Sequence, residues 1–214
     1  DPHGIALHGD AVYAADNRGQ VWKVGMDGAV TKVADSGMFP RRVTNLNDIE
    51  VDSATGDIYV SDTGEWEGRG GVVFKISASG KIESLVSDED DWRLISPNGL
   101  KLDGKGGLLV VDWTTGNLLR IDLASREVSK VSGGWGPSDG LALSSDGKLL
   151  ISSYFKGVNV LAGLAEAKAA ITMTLESLGA ASAADIALSP DGKKVCIPDF
   201  DGAKVIVVDV KYGP

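Results

Sequence analysis

The sequence of 214 residues lacks disulfide partners, clustered histidines and long apolar runs. Its single cysteine, Cys196, lies in an apolar alternation and is interpreted as a small buried side chain, so no internal disulfide can form. With only this cysteine and two histidines, a zinc site or another soft-metal site is excluded. No apolar run reaches the roughly 18 residues of a membrane-spanning helix, so no membrane partner is expected.

Positive charge is also scarce. The chain carries 21 Lys and Arg against 30 Asp and Glu, which gives a net charge of −9, and it contains no basic run. Because phosphate recognition needs clustered Lys and Arg, nucleic acid is excluded as a partner. The sequence starts at Asp1 with neither an initiating methionine nor a signal peptide. The compartment therefore stays open, with a periplasmic or secreted location slightly favoured over a cytoplasmic one.

What the sequence does contain is one short motif in five copies. Each copy places a pair of small or polar residues at the start of an alternating apolar strand, and the copies follow one another after 41 to 51 residues, the period of β-propeller blades. The first residues of the pairs form a column that comprises His3, Asn47, Asn98, Asp139 and Ala184. The second residues form a column that comprises Gly4, Asp48, Gly99, Gly140 and Asp185.

Turn residues divide each copy into short strands, and the 28 glycines fall at regularly spaced turns. The sequence therefore predicts an all-β fold, namely one β-propeller domain of four-stranded blades. The five visible repeats cover approximately residues 1–42, 43–94, 95–135, 136–180 and 181–214, the last of which is incomplete.

The fifth repeat has no segment for a fourth strand, which leaves an unpaired sheet edge. Three explanations stay open. The chain is a six-bladed propeller that lacks its first blade, or the last blade has three strands, or another chain completes the sheet as a protein partner or dimer. The first explanation is favoured.

The propeller geometry predicts where binding residues lie. The starts of the innermost strands and the loops after the second strands share one face, and binding residues concentrate on loops held by a rigid scaffold. We therefore expect Trp66, Trp113 and Tyr154 on these loops, together with Asp185 at the axis, to contact a substrate.

The two columns bring carboxylate and amide oxygens to the propeller axis, and Ca²⁺ prefers such oxygens as ligands. Asn47, Asn98 and Asp139 are the candidate metal ligands. His3 and Asp48 are the candidate catalytic groups for proton transfer. The alternative is that Asn, Asp and Gly before a strand are ordinary turn residues that cap their own backbone.

Three motifs carry a resemblance to a known family. Leu46-Asn47-Asp48-Ile49, Pro97-Asn98-Gly99-Leu100 and Ser138-Asp139-Gly140-Leu141 resemble, in this order, blade starts of the calcium-dependent, six-bladed senescence marker protein/gluconolactonase superfamily. Pro2-His3-Gly4-Ile5 is similar to a segment of the paraoxonases, which belong to the same superfamily. The resemblance covers the chain as blades two to six. It implies that Asn47, Asn98 and Asp139 bind calcium, that Asp48 lies beside the metal and that His3 lines the tunnel.

The chain also departs from this pattern. The family's fourth ligand, a glutamate of the first blade, has no counterpart in the sequence. Some lactonase relatives carry an arginine two residues before the first asparagine, where this chain has Asn45, which argues against sugar-acid lactones. The fifth repeat also resembles NHL and YVTN propeller repeats, which bind partners without catalysis.

The sequence thus favours a calcium-dependent hydrolase that acts on a small-molecule lactone or related ester. The alternative is a non-catalytic propeller module that recognises a protein, peptide or glycan through its loop rim.

Overall fold

Antiparallel β-strands make up almost all of the regular structure in the computed structural model of the chain, which describes residues 1–65, 68–164 and 168–210. Four sheets have four strands and one has three, and they form the five blades of a β-propeller. The predicted all-β propeller fold is confirmed. In the described ranges, helix is confined to a 3₁₀ turn at Ser36–Met38 and one α-helical turn, α1 (Leu175–Leu178). Neither is long and apolar enough to cross a membrane.

Within each blade the strands pair in chain order, from the innermost strand to the outermost. Blade 1 contains β1 (Pro2–His8), β2 (Ala11–Asp16), β3 (Gln20–Gly25) and β4 (Val30–Ala34). Blade 2 contains β5 (Leu46–Val51), β6 (Ile58–Asp62), β7 (Val72–Ile76) and β8 (Ile82–Ser87). Blade 3 contains β9 (Pro97–Leu102), β10 (Gly107–Asp112), β11 (Asn117–Asp122) and β12 (Val128–Gly133). Blade 4 contains β13 (Ser138–Leu143), β14 (Leu149–Ser153), β15 (Gly157–Leu161) and β16 (Ile171–Thr174). Blade 5 contains β17 (Ala187–Leu188), β18 (Lys194–Asp199) and β19 (Lys204–Asp209).

The hairpin between β3 and β4 shows how local sequence sets these strands. Gly28 has a φ of +85°, a left-handed conformation that glycine adopts without strain. Asp27 accepts a hydrogen bond from the backbone N–H of Ala29 at 2.9 Å. The aspartate and glycine therefore close the predicted turn by two separate physical effects.

Blade 5 differs from its prediction at the innermost strand. The sequence pattern predicts a strand over residues 185–188, whereas only Ala187–Leu188 form β17. Ile186 instead donates its N–H to the side chain of Asp185 at 2.8 Å. Asp48 makes the same contact with Ile49 within β5, so this hydrogen bond by itself does not account for the shorter strand.

Apolar side chains pack between consecutive blades in four clusters. Because successive residues of a strand point to opposite faces, a middle blade supplies one face to each neighbour. Strands β6, β10, β14 and β15 are consequently buried along their whole length. The largest fully buried side chains of these clusters include Leu46 and Phe74 between blades 1 and 2, Leu94 and Leu108 between blades 2 and 3, Leu118 and Leu149 between blades 3 and 4, and Leu150 between blades 4 and 5.

The two end blades each keep one apolar face open. No hydrophobic cluster of the described residues joins blade 5 to blade 1. On β1, Ile5 and Leu7 are 63% and 69% exposed, and on β19, Val205 and Val207 are 62% and 58% exposed. Five blades therefore share four interfaces in the part of the chain that the structure describes.

Candidate active site

A β-bulge marks the motif pair in each of the first four inner strands. The pairing register shifts between Pro2 and Ile5, between Leu46 and Ile49, between Pro97 and Leu100, and between Ser138 and Leu141, so two inner residues oppose one residue of the second strand. Bulges bend a strand and re-aim its side chains. The motif pairs are therefore bulge positions that direct polar groups toward the axis.

Two serines opposite the bulges fix the backbone. In blade 2, the N–H of Asp48 donates to Ser61 Oγ at 2.9 Å, and in blade 4, the N–H of Gly140 donates to Ser152 Oγ at 2.7 Å. The bulge takes each of these N–H groups out of the strand ladder, and the serine hydroxyl satisfies it. Both serines are fully buried, so neither hydrogen bond competes with solvent.

The glycines of the second column allow the inner strands to approach one another closely. A Cβ on Gly4 would lie 2.5 Å from Asp48 Oδ1, and a Cβ on Gly140 would lie 2.5 Å from Asp185 Oδ1. A Cβ on Gly99 would lie 2.3 Å from the carbonyl oxygen of Asp139. These glycines leave room for a neighbouring blade's carboxylate or backbone, which a larger residue would displace.

Asp48 is a buried carboxylate with both oxygens engaged. Its Oδ1 accepts the N–H of Ile49 at 2.7 Å, and its Oδ2 accepts the N–H of Leu100 in the next blade at 2.6 Å. Burial, followed by repulsion from Asp185, raises the pKa of Asp48 well above its ordinary value. The predicted catalytic residue thus joins the inner strands of blades 2 and 3.

Asp139 and Asp185 complete a group of three mutually repelling carboxylates. Burial is the main cause that raises the pKa of Asp139 to about 7, and the charge of Asp48 adds to it. Burial and the charge of Asp139 raise the pKa of Asp185 to about 7. Asp139 accepts no hydrogen bond from any residue that the structure describes, so its carboxylate is available to a ligand.

The two asparagines of the first column differ in how they are held. Asn98 is only 3% exposed, and among the described residues its Oδ1 has no hydrogen-bond partner. Asn47 donates from Nδ2 to Thr63 Oγ1 at 3.1 Å, and this hydroxyl donates to the carbonyl oxygen of Pro97 at 3.1 Å. The chain of hydrogen bonds orients the Asn47 amide and links blade 2 to blade 3.

Only one of the three candidate ligands, Asp139, has a carboxylate, so carboxylates alone would not hold a metal ion at this site. Within residues 1–65, 68–164 and 168–210, no three His, Cys, Asp or Glu side chains are arranged as a metal-binding group. A cation at the axis would therefore need the amide oxygens of Asn47 and Asn98 beside Asp139. Amide and carboxylate oxygens suit calcium, which accepts mixed oxygen ligands.

An axial cavity of about 610 Å³ lies toward the far ends of the inner strands and is lined by all five of them. Asp48 and Asp185 line it together with Glu50 and Lys101, which form an ion pair with 2.9 Å between Nζ and Oε1. Asn47, Asn98 and Asp139 are not among its lining residues. The second column therefore borders the cavity, while the candidate ligands of the first column lie nearer the loop face.

His3 lies at the start of β1 and is exposed. Its Nε2 is 3.3 Å from Asn17 Nδ2, which follows β2. Partial burial of the ring is the main cause that lowers the pKa of His3. The imidazole is consequently neutral at pH 7 and able to accept a proton.

Two of the predicted substrate-contacting aromatic residues lie together on the loop face. The rings of Trp113 and Tyr154 meet edge to face with centroids 5.5 Å apart. The N–H of Trp113 donates to the carbonyl oxygen of Ser96, and the N–H of Tyr154 donates to that of Pro137, both at 2.9 Å. Each aromatic residue therefore donates a hydrogen bond to a residue that lies two positions before a candidate ligand. Trp66 lies outside the described residues.

Sequence reasoning missed a recurring carboxylate at the end of the second strands. Asp62 accepts the N–H groups of Thr44 and Asn45, each at 2.8 Å, and Asp199 accepts those of Ala181 and Ser182 at 3.0 and 2.8 Å. These backbone donors lower the pKa of Asp199 to about 2. Asp16 and Asp112 occupy the same position in their blades, and the recurrence of Asp in this place was the signal available in the sequence.

No family model matches the sequence, and no curated protein matches it. Solved structures do. A gluconolactonase from Xanthomonas campestris aligns with 97% of this chain and 71% of its own, at 18% identity and a TM-score of 0.76. A structural-genomics target provisionally assigned as a gluconolactonase aligns with 97% of this chain and 73% of its own, at 20% identity and a TM-score of 0.75.

The chain has the propeller fold of the gluconolactonases. The same fold also serves other purposes, because a chain of the nidogen/laminin complex aligns with 97% of this chain and 75% of its own, at 17% identity and a TM-score of 0.76. At these identities the likeness concerns the fold, and the function has to be argued from the site.

Proposed function

We propose that the chain is a calcium-dependent hydrolase of lactones or related esters. The observation that carries this proposal is the buried Oδ1 of Asn98, which has no hydrogen-bond partner in the part of the chain that the structure describes. Leaving a buried acceptor unsatisfied is unfavourable by roughly 1–3 kcal/mol, so such an atom indicates a ligand. Asp139 lies at the same motif position of the next blade, and its carboxylate is also available.

The residues present fit a calcium ion. Asn47, Asn98 and Asp139 would hold it through two amide oxygens and one carboxylate. Calcium takes six to eight oxygens, so these three leave positions for water and substrate. A cation would also offset the repulsion among Asp48, Asp139 and Asp185.

Bound calcium would supply polarisation of the substrate carbonyl and stabilisation of the oxyanion that develops during hydrolysis. The chain's own groups supply proton transfer. His3, which is neutral at pH 7 because its pKa is lowered, accepts a proton from the attacking water. Asp185, whose pKa is about 7, holds or releases a proton in the neutral range.

The test is a hydrolysis screen of lactones and simple esters with chelator-stripped protein, with and without added calcium. We expect calcium-dependent turnover that falls about 10²-fold or more in Asp139→Asn, because this change removes the only charge of the ligand set. Asp10→Asn, which removes an exposed carboxylate in the β1–β2 turn, is the matched control and keeps the wild-type rate. A hydrolysis rate that changes neither when calcium is removed nor in Asp139→Asn would contradict the proposal.

The alternative function is a non-catalytic binding module. The fold match to a chain of the nidogen/laminin complex and the exposed aromatic side chains of the loop face favour it. Calcium binding without turnover on the whole substrate panel would support this alternative, because the axial ion would then be structural.

A further inference from the structure

Thr63 lies directly after β6, at the loop face, and its backbone is fixed on both sides. Its N–H donates to the carbonyl oxygen of Asn45 at 3.0 Å. The carboxylate of Asp62, the residue before it, accepts the N–H of Gly64, the residue after it, at 2.9 Å. Thr63 itself is only 8% exposed. Its hydroxyl is therefore held in one place beside the inner strand of blade 2.

The Thr63 hydroxyl can serve its two neighbours in only one way. A hydroxyl has one proton to donate and lone pairs that accept. The carbonyl oxygen of Pro97, which lies 3.1 Å away, can only accept, so it takes this proton. The lone pairs then face the Asn47 amide, which has to present Nδ2, at 3.1 Å, rather than Oδ1. The Oδ1 of Asn47 is consequently turned away from Thr63 and left available to a cation.

The same hydroxyl also holds the strand of a second candidate ligand. Pro97 directly precedes Asn98 in the bulge of β9. At the other end of this bulge, the N–H of Leu100 donates to Asp48 Oδ2 at 2.6 Å. Blade 2 thus fixes the backbone on both sides of Asn98, through a hydroxyl before it and a carboxylate after it. Thr63 therefore constrains two candidate ligands at once.

The corresponding residues of blades 3 and 4 have a different role. Trp113 and Tyr154 make the same backbone hydrogen bond as Thr63, but their rings pack against each other with centroids 5.5 Å apart. The Oδ1 of Asn98 has no partner among the described residues, and hydrogen bonds do not contribute to the pKa of Asp139. Orientation of a candidate ligand by a neighbouring hydroxyl is thus a property of blade 2.

Hydrogen bonds from neighbouring side chains orient metal ligands, and their loss typically lowers metal affinity about 10- to 100-fold. The need is greatest for an amide, because its two ends have similar shapes and only the oxygen binds a cation. We infer that Thr63 is a positioning residue that sets the calcium affinity of the axial site by keeping the Asn47 amide oxygen available. This inference rests on the calcium site of the proposed function and does not require hydrolysis.

The first experiment is an isothermal calcium titration of chelator-stripped variants. Thr63→Val keeps the shape of the side chain without its hydroxyl, and we expect the Kd for calcium to rise about tenfold or more. Thr63→Ser keeps the hydroxyl and should stay within about threefold of the wild type. Thr172→Val is the matched control, because it breaks another threonine–asparagine hydrogen bond, the one of 3.0 Å between Thr172 Oγ1 and Asn159 Oδ1 on the outer strands of blade 4.

The outcomes separate this inference from the hydrolase. Calcium binding that weakens in Thr63→Val but not in Thr63→Ser or Thr172→Val would support the inference, even if no lactone or ester is hydrolysed. A Kd of Thr63→Val equal to that of the wild type, or an equal loss in Thr63→Ser, would overturn it and leave the hydrolase standing. A flat wild-type titration would overturn it together with the metal site.

The second experiment measures the amide itself in the absence of calcium. The side-chain amide resonance of Asn47 in a ¹⁵N–¹H spectrum is assigned by its loss in Asn47→Asp, and its exchange with solvent is then followed. We expect these amide protons to exchange about tenfold faster in Thr63→Val, and at the wild-type rate in Thr63→Ser and Thr172→Val. Equal exchange in Thr63→Val and the wild type would show that the hydroxyl does not hold the amide, and would overturn the inference.

Discussion

At the scale of single residues, the axial carboxylates are the groups whose protonation differs most from that of the unfolded chain. Asp139 and Asp185 both have a pKa raised to about 7 from an ordinary value of 3.8. Desolvation is the larger cause in each, and the mutual repulsion of the group follows. Without a cation, these side chains are partly protonated near neutral pH, which reduces their mutual repulsion. A bound cation would reduce the same repulsion by its positive charge.

These raised pKa values predict how stability depends on pH without calcium. Between pH 4 and pH 7 the folded state binds more protons than the unfolded state. The stability that these two carboxyl groups contribute is therefore fully present below about pH 4 and is lost as the pH rises toward 7. We expect the free energy of unfolding in a chelator to fall between pH 5 and pH 8 by roughly 2–3 kcal/mol for each of the two groups. Urea denaturation at the two pH values measures this fall.

Asp185→Asn provides the comparison, because the amide cannot titrate and it removes one of the repelling charges. The fall between pH 5 and pH 8 should be smaller in this variant than in the wild type. A wild-type stability that rises over the same range would show that the axial carboxylates are ionised without strain, contrary to the electrostatics described above.

At the scale of elements, the bulged inner strands depend on glycine at their contacts. Gly140→Ala would place a methyl group 2.5 Å from both Asp185 Oδ1 and the backbone nitrogen of Ile186. We expect this variant to lose roughly 1–3 kcal/mol, because blades 4 and 5 would have to separate at the axis. Thermal unfolding would show a Tm lower by about 2–4 °C for each kcal/mol in a chain of this size.

Gly163→Ala is the matched control for this prediction. No atom of the residues that the structure describes lies within 4 Å of a Cβ placed on Gly163, and Gly163 does not have a positive φ. Its Tm should stay close to that of the wild type. Equal Tm values for Gly140→Ala and Gly163→Ala would mean that the inner strands do not pack as closely as described.

The carboxylate at the end of the second strand shows what the sequence could and could not reveal about an element. It recurs at Asp16, Asp62, Asp112 and Asp199, and this recurrence is visible in the sequence. Its purpose, to accept backbone N–H groups before the inner strand, depends on contacts between segments about 17 residues apart.

Blade 4 is the exception to this rule, and the structure explains it. Ser153 replaces the aspartate, and its buried hydroxyl has no partner among the described residues. The position that donates an N–H in the other blades is here Pro137, which has no N–H to donate. A carboxylate at residue 153 would therefore lose one of its donors.

The fold was predictable because one period of polar pairs, turns and alternating strands repeats along the chain. The candidate site was predictable only in part. Asn98 and Asp139 could be identified from their column, but the free Oδ1 of Asn98 and the hydrogen-bonded state of Asp48 could not. Both depend on which neighbouring blade supplies a donor, and a single sequence does not contain that information. The shortened β17 was missed as well.

At the scale of the whole molecule, the open faces of blades 1 and 5 are the main departure from a closed ring. Leu7 and Val207 are 69% and 58% exposed, and each belongs to an apolar sheet face without a packed neighbour in the described residues. Contiguous exposed apolar surface of this kind binds hydrophobic dyes. We expect the native chain to enhance the fluorescence of anilinonaphthalene sulfonate.

The combined variant Leu7→Lys with Val207→Lys should reduce that fluorescence without lowering Tm, because both side chains are already exposed. Met26→Lys is the control, since Met26 is 66% exposed at the end of the β3–β4 hairpin and away from both faces. Dye fluorescence that responds equally to both variants, or is absent in the native chain, would show that these faces are covered.

Calcium binding is the central claim, and an isothermal calcium titration of the chelator-stripped chain tests it most directly. We predict saturable binding in the wild type and none in Asn98→Ala, because this change removes the unpartnered axial oxygen. Asn159→Ala should keep binding, since Asn159 is a similarly buried asparagine of β15 whose Oδ1 already accepts a hydrogen bond from Thr172 at 3.0 Å. A flat wild-type titration, or binding that Asn98→Ala leaves intact, would contradict the proposed metal site.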